Sequence, residues 1–225
     1  YGRCRPVAGT RRTAVYLGNT WTIRDSTEIW RMEWMIKCVS KPDMVERRAA
    51  TLKAHVAHLD KFKTETWYSG PMMVDDASNA NGSFRVIDFP TRSETTTYID
   101  TDPYTTAGIF QTIDIERLLP YTDLRQRDHD QIDGNAQFII VSRTDPCAAA
   151  AVPDGRMAEF LTTHGNHLIF AGMLVDDDGE ICTGALYVID VADRDAADAF
   201  VAGEPLSLGP DGRSLTIERW RFGHV

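Results

Sequence analysis

The chain repeats itself at a spacing of 102 residues. Val39-Ser40-Lys41 is matched by Val141-Ser142-Arg143, and Ile115-Glu116-Arg117 by Ile217-Glu218-Arg219. Ser69-Gly70-Pro71-Met72-Met73-Val74-Asp75 is matched by Ala171-Gly172-Met173-Leu174-Val175-Asp176, and Asn81-Gly82-Ser83-Phe84 by Thr183-Gly184-Ala185-Leu186. Several anchors in one register point to an internally duplicated structural unit, and this restricts the fold more than composition does.

Each copy reads as βαββαβ. In the first, the alternating, β-rich run 33–41 predicts a strand, and 44–63 predicts a helix with Leu52, Val56, Leu59 and Phe62 near one face. Residues 67–74 form the second strand, 75–82 are turn chemistry, and 83–89 form the third strand. Pro90-Thr91-Arg92-Ser93-Glu94 opens a short helix with Ser93 as candidate cap, and 109–117 is the fourth strand. After a polar linker the order recurs: strand 137–143, helix 154–163, strand 167–175, turn 176–180, strand 183–191, helix 192–202 and strand 214–221. The expected organisation is an extension at 1–31, a first unit at 32–119, a linker at 120–134 and a second unit at 135–225.

Such a unit makes an antiparallel four-stranded sheet with both helices on one face. The other face is left open, and a unit this small buries little core alone. Two copies in one chain are therefore expected to press their open faces together. The result is an α+β fold, an intrachain pseudo-dimeric barrel enclosing a pocket between the units.

The formal charge of −9 argues against a nucleic-acid partner, whose phosphates call for a basic face. The longest apolar runs, such as Phe138-Ile139-Ile140-Val141, are strand-sized, so no membrane-spanning helix is expected. Cys4, Cys38, Cys147 and Cys182 form no C-x-x-C pair. Cys38 and Cys147 fall in or beside strands, where reduced cysteine behaves as a small buried apolar residue, and a cytoplasmic protein is expected. Residues 1–31 carry six arginines against Asp25 and Glu28, a net of +4 that leaves −13 on the rest. They are expected to be unstructured or loosely docked, with Met32 a natural first residue, although Val15-Tyr16-Leu17-Gly18 could form a short strand. Their Arg- and Thr-rich composition loosely resembles a transit peptide.

The candidate chemistry lies in the first copy. His55 and His58 share a helix face, and an imidazole titrating near neutrality can accept and return a proton. Asp102 could orient it through the other ring nitrogen. The competing reading has His55 packing at the helix–strand junction, His58 facing solvent and Asp102-Pro103 serving as turn chemistry with Gly108 as helix stop. The H-x-x-H spacing lacks further metal ligands, so no metal is expected. Asp176-Asp177-Asp178-Gly179-Glu180 lacks the alternating calcium-loop spacing and reads as a solvated hairpin. Tyr104, Trp67, Phe84 and Phe110 are aromatic candidates for a pocket wall or for core. There is no phosphate loop, dinucleotide fingerprint or nucleophile elbow, and no cofactor is expected.

Glu33-Trp34-Met35-Ile36-Lys37, the His55-Val56-Ala57-His58-Leu59 helix, Ser69-Gly70-Pro71, Gly82-Ser83 and Asp102-Pro103-Tyr104 with Ala107-Gly108 together resemble the YCII (YciI-like) family. The resemblance implies ferredoxin-like units paired into a dimeric α+β barrel, with a His–Asp pair as catalytic centre. It places His55 and Asp102 in that pair and Arg48 at a common basic position. Arg48, Trp67, Gly70, Tyr104 and His58 stand as candidate substrate contacts. One branch of the family removes chloride from a chlorinated hydroxyhydroquinone. Leu52 stands where a second arginine is common, and the segment between His55 and Gly70 is slightly short. In the second copy His55 becomes Met157, His58 becomes Phe160 and Asp102-Pro103 becomes Glu204-Pro205, so a single site is expected.

Three functions follow. The first is a cofactor-free enzyme doing elimination or isomerisation on a small cyclic or aromatic metabolite. The second is a small-molecule binder or sensor using the same pocket. The third is a structural protein whose histidines are incidental. A homodimer of the two-unit chain is a further option.

Overall fold

The computed structural model describes residues 11–17, 20–26, 33–122, 124–148, 155–206 and 215–225. Strands β1 (Arg11–Leu17) and β2 (Thr20–Ser26) pair antiparallel as a two-stranded sheet of their own. Both strands lie in the stretch expected to be an unstructured or loosely docked extension, where Val15-Tyr16-Leu17-Gly18 is the candidate short strand. Val15, Tyr16, Trp21, Thr22 and Ile23 are residue types that favour extended backbone.

The body follows the duplicated order. The first copy supplies β3 (Glu33–Ser40), α1 (Val45–Leu59), β4 (Thr66–Met73), β5 (Ala80–Asp88), α2 (Arg92–Asp100), α3 (Pro103–Thr106) and β6 (Phe110–Pro120). The second supplies β7 (Ala136–Ala148), α4 (Gly155–Thr163), β8 (Leu168–Val175), β9 (Ile181–Val191), α5 (Arg194–Val201) and β10 (Leu215–Trp220). The eight strands from β3 to β10 close a barrel in the order β10-β4-β5-β3-β6-β8-β9-β7, with β7 returning to β10. The chain is thus two ferredoxin-like units forming an α+β barrel.

The two seams between units obey the duplication. At one, Arg117 pairs with Val175 and Leu118 with Leu174. At the other, Arg219 pairs with Met73 and Trp220 with Met72. A shift of 102 residues exchanges each seam for the other. It also explains the recurring glycine: a Cβ on Gly70 would meet the Arg221 carbonyl oxygen at 2.0 Å, and one on Gly172 would meet the Leu119 carbonyl oxygen at 3.0 Å. The neighbouring unit's backbone passes where a side chain would stand.

Strand alternation sorts the residues into layers. Met35, Phe84, Val86 and Trp220 point into the barrel with Val141, Phe170, Leu174 and Val188 of the second copy. Each such side chain contributes roughly 1.5–3 kcal/mol by leaving water. Trp34, Ile36, Cys38 and Ile87 point outward beneath the first copy's helices, beside Leu59, Tyr98 and Tyr104. Apolar side chains from both copies pack against one another in the interior. The cavity described below lies outside the barrel, under α1.

Two local expectations are corrected. Helix α2 is capped by Thr91 rather than Ser93, because the Thr91 hydroxyl accepts the Glu94 backbone N–H at 3.2 Å. Cys147 is exposed, whereas Cys38 and Cys182 are buried, because Cys147 lies on β7 beyond a break in its pairing with β9.

Candidate functional site

Helix α1 buries one face, carrying Arg48, His55, His58 and Leu59. The seven-residue step from Arg48 to His55 is two helical turns, so both side chains lie over the same outer surface of β4 and β5. Asp102 is the N-cap of α3, with Pro103 at the first helical position, and its Oδ1 accepts the Tyr104 backbone N–H at 2.8 Å. That cap fixes the carboxylate. The same Oδ1 lies 2.8 Å from His55 Nδ1, and Oδ2 accepts from Arg85 Nη2 at 2.8 Å. His55 and Asp102, 47 residues apart, are therefore within hydrogen-bond reach, and Arg85 completes a triad.

Burial alone would raise the Asp102 carboxyl. The His55 hydrogen bond and the Arg85 charge outweigh it and hold the group down at about 2. Asp102 is thus an ionised acceptor near neutral pH, and the hydrogen between it and His55 sits on Nδ1. The lone pair of His55 is left on Nε2, where Arg85 Nη2 approaches to 3.4 Å. Burial pushes the His55 pKa below its ordinary 6.5, with the Arg85 and Arg48 charges assisting and the Asp102 hydrogen bond opposing. The imidazole is accordingly neutral at physiological pH, the form needed by a base.

His55 also stacks face to face on Tyr104, centroids 3.9 Å apart and planes 7° from parallel. Arg48 lies over the same ring, its guanidinium carbon 4.7 Å from the centroid. These groups line a cavity of about 310 Å³. Its α1 wall carries Arg48, Leu52 and His55, its floor Ser69, Gly70, Ser83 and Arg85, and its far rim Arg221, Phe222, Gly223 and His224. The rim belongs to the second copy. It is drawn in by the β10–β4 seam, where Gly223 N–H donates to the Ser69 carbonyl at 2.9 Å.

Of the candidates named above, the structure brings His55, Asp102, Arg48, Gly70 and Tyr104 together. It does not bring His58, whose Nε2 donates to the Tyr98 carbonyl at 3.1 Å and whose ring packs on Phe62 and Tyr98. Nor does it bring Trp67, which joins the barrel core and borders a separate cleft with Lys63 and Arg127. Phe84 and Phe110 are core. Among the described residues no cluster of three His, Cys, Asp or Glu side chains could hold a metal ion. No helix among them is long and apolar enough to cross a membrane.

Arg85 was missed. Its signal is a charged residue on the outward, apolar-period face of a strand whose alternate residues Phe84 and Val86 are core. In the second copy the equivalent triad is Met157, Tyr187 and Glu204. Glu204 accepts from the Tyr187 hydroxyl at 2.7 Å and the Ser142 hydroxyl at 3.0 Å, and Met157 Sδ lies 3.5 Å from the same phenol. The carboxylate survives there, but the base and the guanidinium do not.

A family model described as the YCII-related domain matches the chain twice, over residues 32–118 and 138–221. No curated protein matches. Two chlorite dismutase variants from Candidatus Nitrospira defluvii match with TM-scores of 0.54 and 0.53 at 6% and 8% identity, covering 84% of this chain and 91% and 90% of theirs. At that identity the likeness is one of fold. A 5-chloro-2-hydroxyhydroquinone dehydrochlorinase from Burkholderia phenoliruptrix AC1100, in complex with 2,5-dihydroxybenzoquinone, is 26% identical over 38% of this chain and 91% of its own, with a TM-score of 0.36.

Proposed function

This chain belongs to the YCII-related family, and from that premise we propose that its first copy is an acid–base enzyme acting on a small cyclic or aromatic metabolite. The observation that carries the reading is the His55–Asp102 pair, joined at 2.8 Å, with His55 on the wall of a cavity, Asp102 buried behind it and the Nε2 lone pair left to act. His55 Nε2 takes a proton from a substrate carbon. The electron pair of that C–H bond either expels a leaving group from the neighbouring carbon or shifts within the ring and is reprotonated elsewhere. The first outcome is elimination, the second isomerisation. Asp102 keeps the ring in the Nδ1–H form and stabilises the imidazolium that develops. Proton transfer of this kind requires only the positioned side chains.

The test is turnover of a panel of halogenated and hydroxylated ring compounds by the whole chain. His55→Ala should lower kcat/KM by about 10²- to 10⁴-fold, the usual share of a general base, while the protein stays folded. Undiminished turnover in that variant would remove His55 from the mechanism.

A second reading is a binder or sensor using the same cavity. The approach of Arg85 Nη2 to Nε2 at 3.4 Å favours it, because the lone pair is already partly engaged. It expects saturable ligand binding, no turnover, and binding unchanged in Asp102→Asn.

A further inference from the structure

The second copy carries a pair of thiols that the first copy lacks. Strand β7 pairs with β9 residue for residue from Ala136–Val191 to Arg143–Gly184, and there the register breaks. Pairing resumes at Cys147–Cys182 and Ala148–Ile181, so β7 uses Thr144-Asp145-Pro146 where β9 uses Thr183 alone. Pro146 has no N–H to give the ladder, and a bulge is where a strand tolerates that. The other neighbour of β7, β10, pairs only as far as Ser142. The end of β7 is therefore tied to the sheet by two residue pairs beyond a bulge, and one of them is Cys147–Cys182. Both thiols are free, Cys147 exposed and Cys182 buried. Opposed residues of an antiparallel pair have Cα atoms about 4.5–5.5 Å apart and side chains on one face, inside the roughly 4.4–6.8 Å that a disulfide spans. The two thiols are in hydrogen-bond contact, and Cys182 Sγ also lies 3.6 Å from the Gly184 carbonyl oxygen. Cys38 differs, because its strand partners are Ser83 and Ile113.

We propose that Cys147 and Cys182 are a redox-modification site, joined by a peroxide into a reversible disulfide that pins the end of β7 to β9. The exposed Cys147 reacts first. Its thiolate sulfur attacks one peroxide oxygen, the O–O bond breaks, and the products are a sulfenic acid on Cys147 and hydroxide, which takes up a proton as water. The Cys182 sulfur then attacks the Cys147 sulfur. The S–O bond breaks, and the thiol proton leaves with the hydroxyl group as a second water. Two electrons pass from the sulfurs to the peroxide, and a dithiol reductant returns them. Burial pushes the Cys182 pKa up, which suits it to the second step rather than the first. The loop closed between 147 and 182 contains α4 and β8, and β8 forms the seam with β6. The link therefore ties down the part of the second copy that meets the first.

The test uses the whole chain, reduced and then exposed to an equimolar amount of hydrogen peroxide. Peptide mapping by mass spectrometry without reduction should find one linked species joining the Cys147 and Cys182 peptides, and dithiothreitol should release it. The oxidised chain should melt roughly 5–15 °C higher than the reduced one, the shift expected of a crosslink closing a loop of this length in a chain of this size. Cys147→Ser changes an exposed position, so it should fold as the wild type does while losing both the linked species and the rise in melting temperature. Oxidation that stops at a sulfenic or sulfinic acid on Cys147, or a disulfide that joins other cysteines, would overturn the assignment. A linked species without a rise in melting temperature, or a rise that persists in Cys147→Ser, would overturn the pinning of β7. The site stands apart from the acid–base reading, and His55→Ala should form the same link.

Discussion

Arg85 of β5 and Asp102 at the head of α3 form an ion pair at 2.8 Å, with side chains 1% and 0% exposed. The pair fixes the carboxylate that orients His55, and it joins the sheet to the last short helix of the first unit.

Removing one partner of a buried pair leaves the other charged and alone. Arg85→Gln is expected to destabilise the fold by about 3–5 kcal/mol, read from urea unfolding. A loss under about 1 kcal/mol would mean that water replaces the guanidinium and that the triad is not a structural unit.

Asp102→Asn keeps the shape and removes the charge. The Tyr104 N–H can still be capped, but the carboxylate charge that raises the His55 pKa and favours the Nδ1–H form is lost. Histidine nitrogen NMR should show the Nδ1–H form giving way to a mixture, with the His55 pKa falling further below 6.5. Turnover should drop by on the order of 100-fold or more. An unchanged tautomer would place the orienting role elsewhere, with Arg85 the first alternative.

Stability should fall on acidification in two windows. The folded His55 pKa is depressed below 6.5, so the native state binds fewer protons there than the unfolded chain, and stability declines as pH drops below about 6.5. Asp102 is held at about 2 against an ordinary 3.8, so its contribution is present above about 4 and lost as pH falls toward 2. Urea midpoints between pH 8 and pH 2.5 should show both declines. His55→Ala should shrink the upper one, which His58 and His164 share because burial depresses them too, and weaken the lower one, because the His55 hydrogen bond helps hold Asp102 down. A flat profile from pH 8 to pH 5 would contradict the buried neutral imidazole.

Gly70→Ala should damage the seam more than Gly172→Ala. The added Cβ would lie 2.0 Å from the Arg221 carbonyl in the first case, and 3.0 Å from the Leu119 carbonyl in the second. The former must push residues 221–223 off the cavity rim, at a cost of about 1–3 kcal/mol and with weaker ligand binding. Equal melting temperatures for the two variants would show that the C-terminal segment moves freely.

Much of this protein was legible in residue order alone. The 102-residue duplication, with alternating runs at 33–41 and 137–143 and helical runs between strands, determined a pair of βαββαβ units, because period and propensity are local properties. Asp102-Pro103 carried its own cap geometry, and the resemblance paired it with His55. What only the tertiary structure decided comes from contacts between distant segments. Arg85 sits in an ordinary alternating strand, and nothing local says that its outward face lies under α1 opposite Asp102. His58 is one helical turn from His55 and Trp67 two strand residues from Ser69, yet they point elsewhere, toward α2 and into the barrel. The rim at 221–224 belongs to the second copy and reaches Gly70 only because β10 pairs with β4 to close the barrel. The cavity's place beneath α1 likewise comes from tertiary packing: apolar side chains of both copies meet inside the barrel, while Arg48 and His55 face the space outside it.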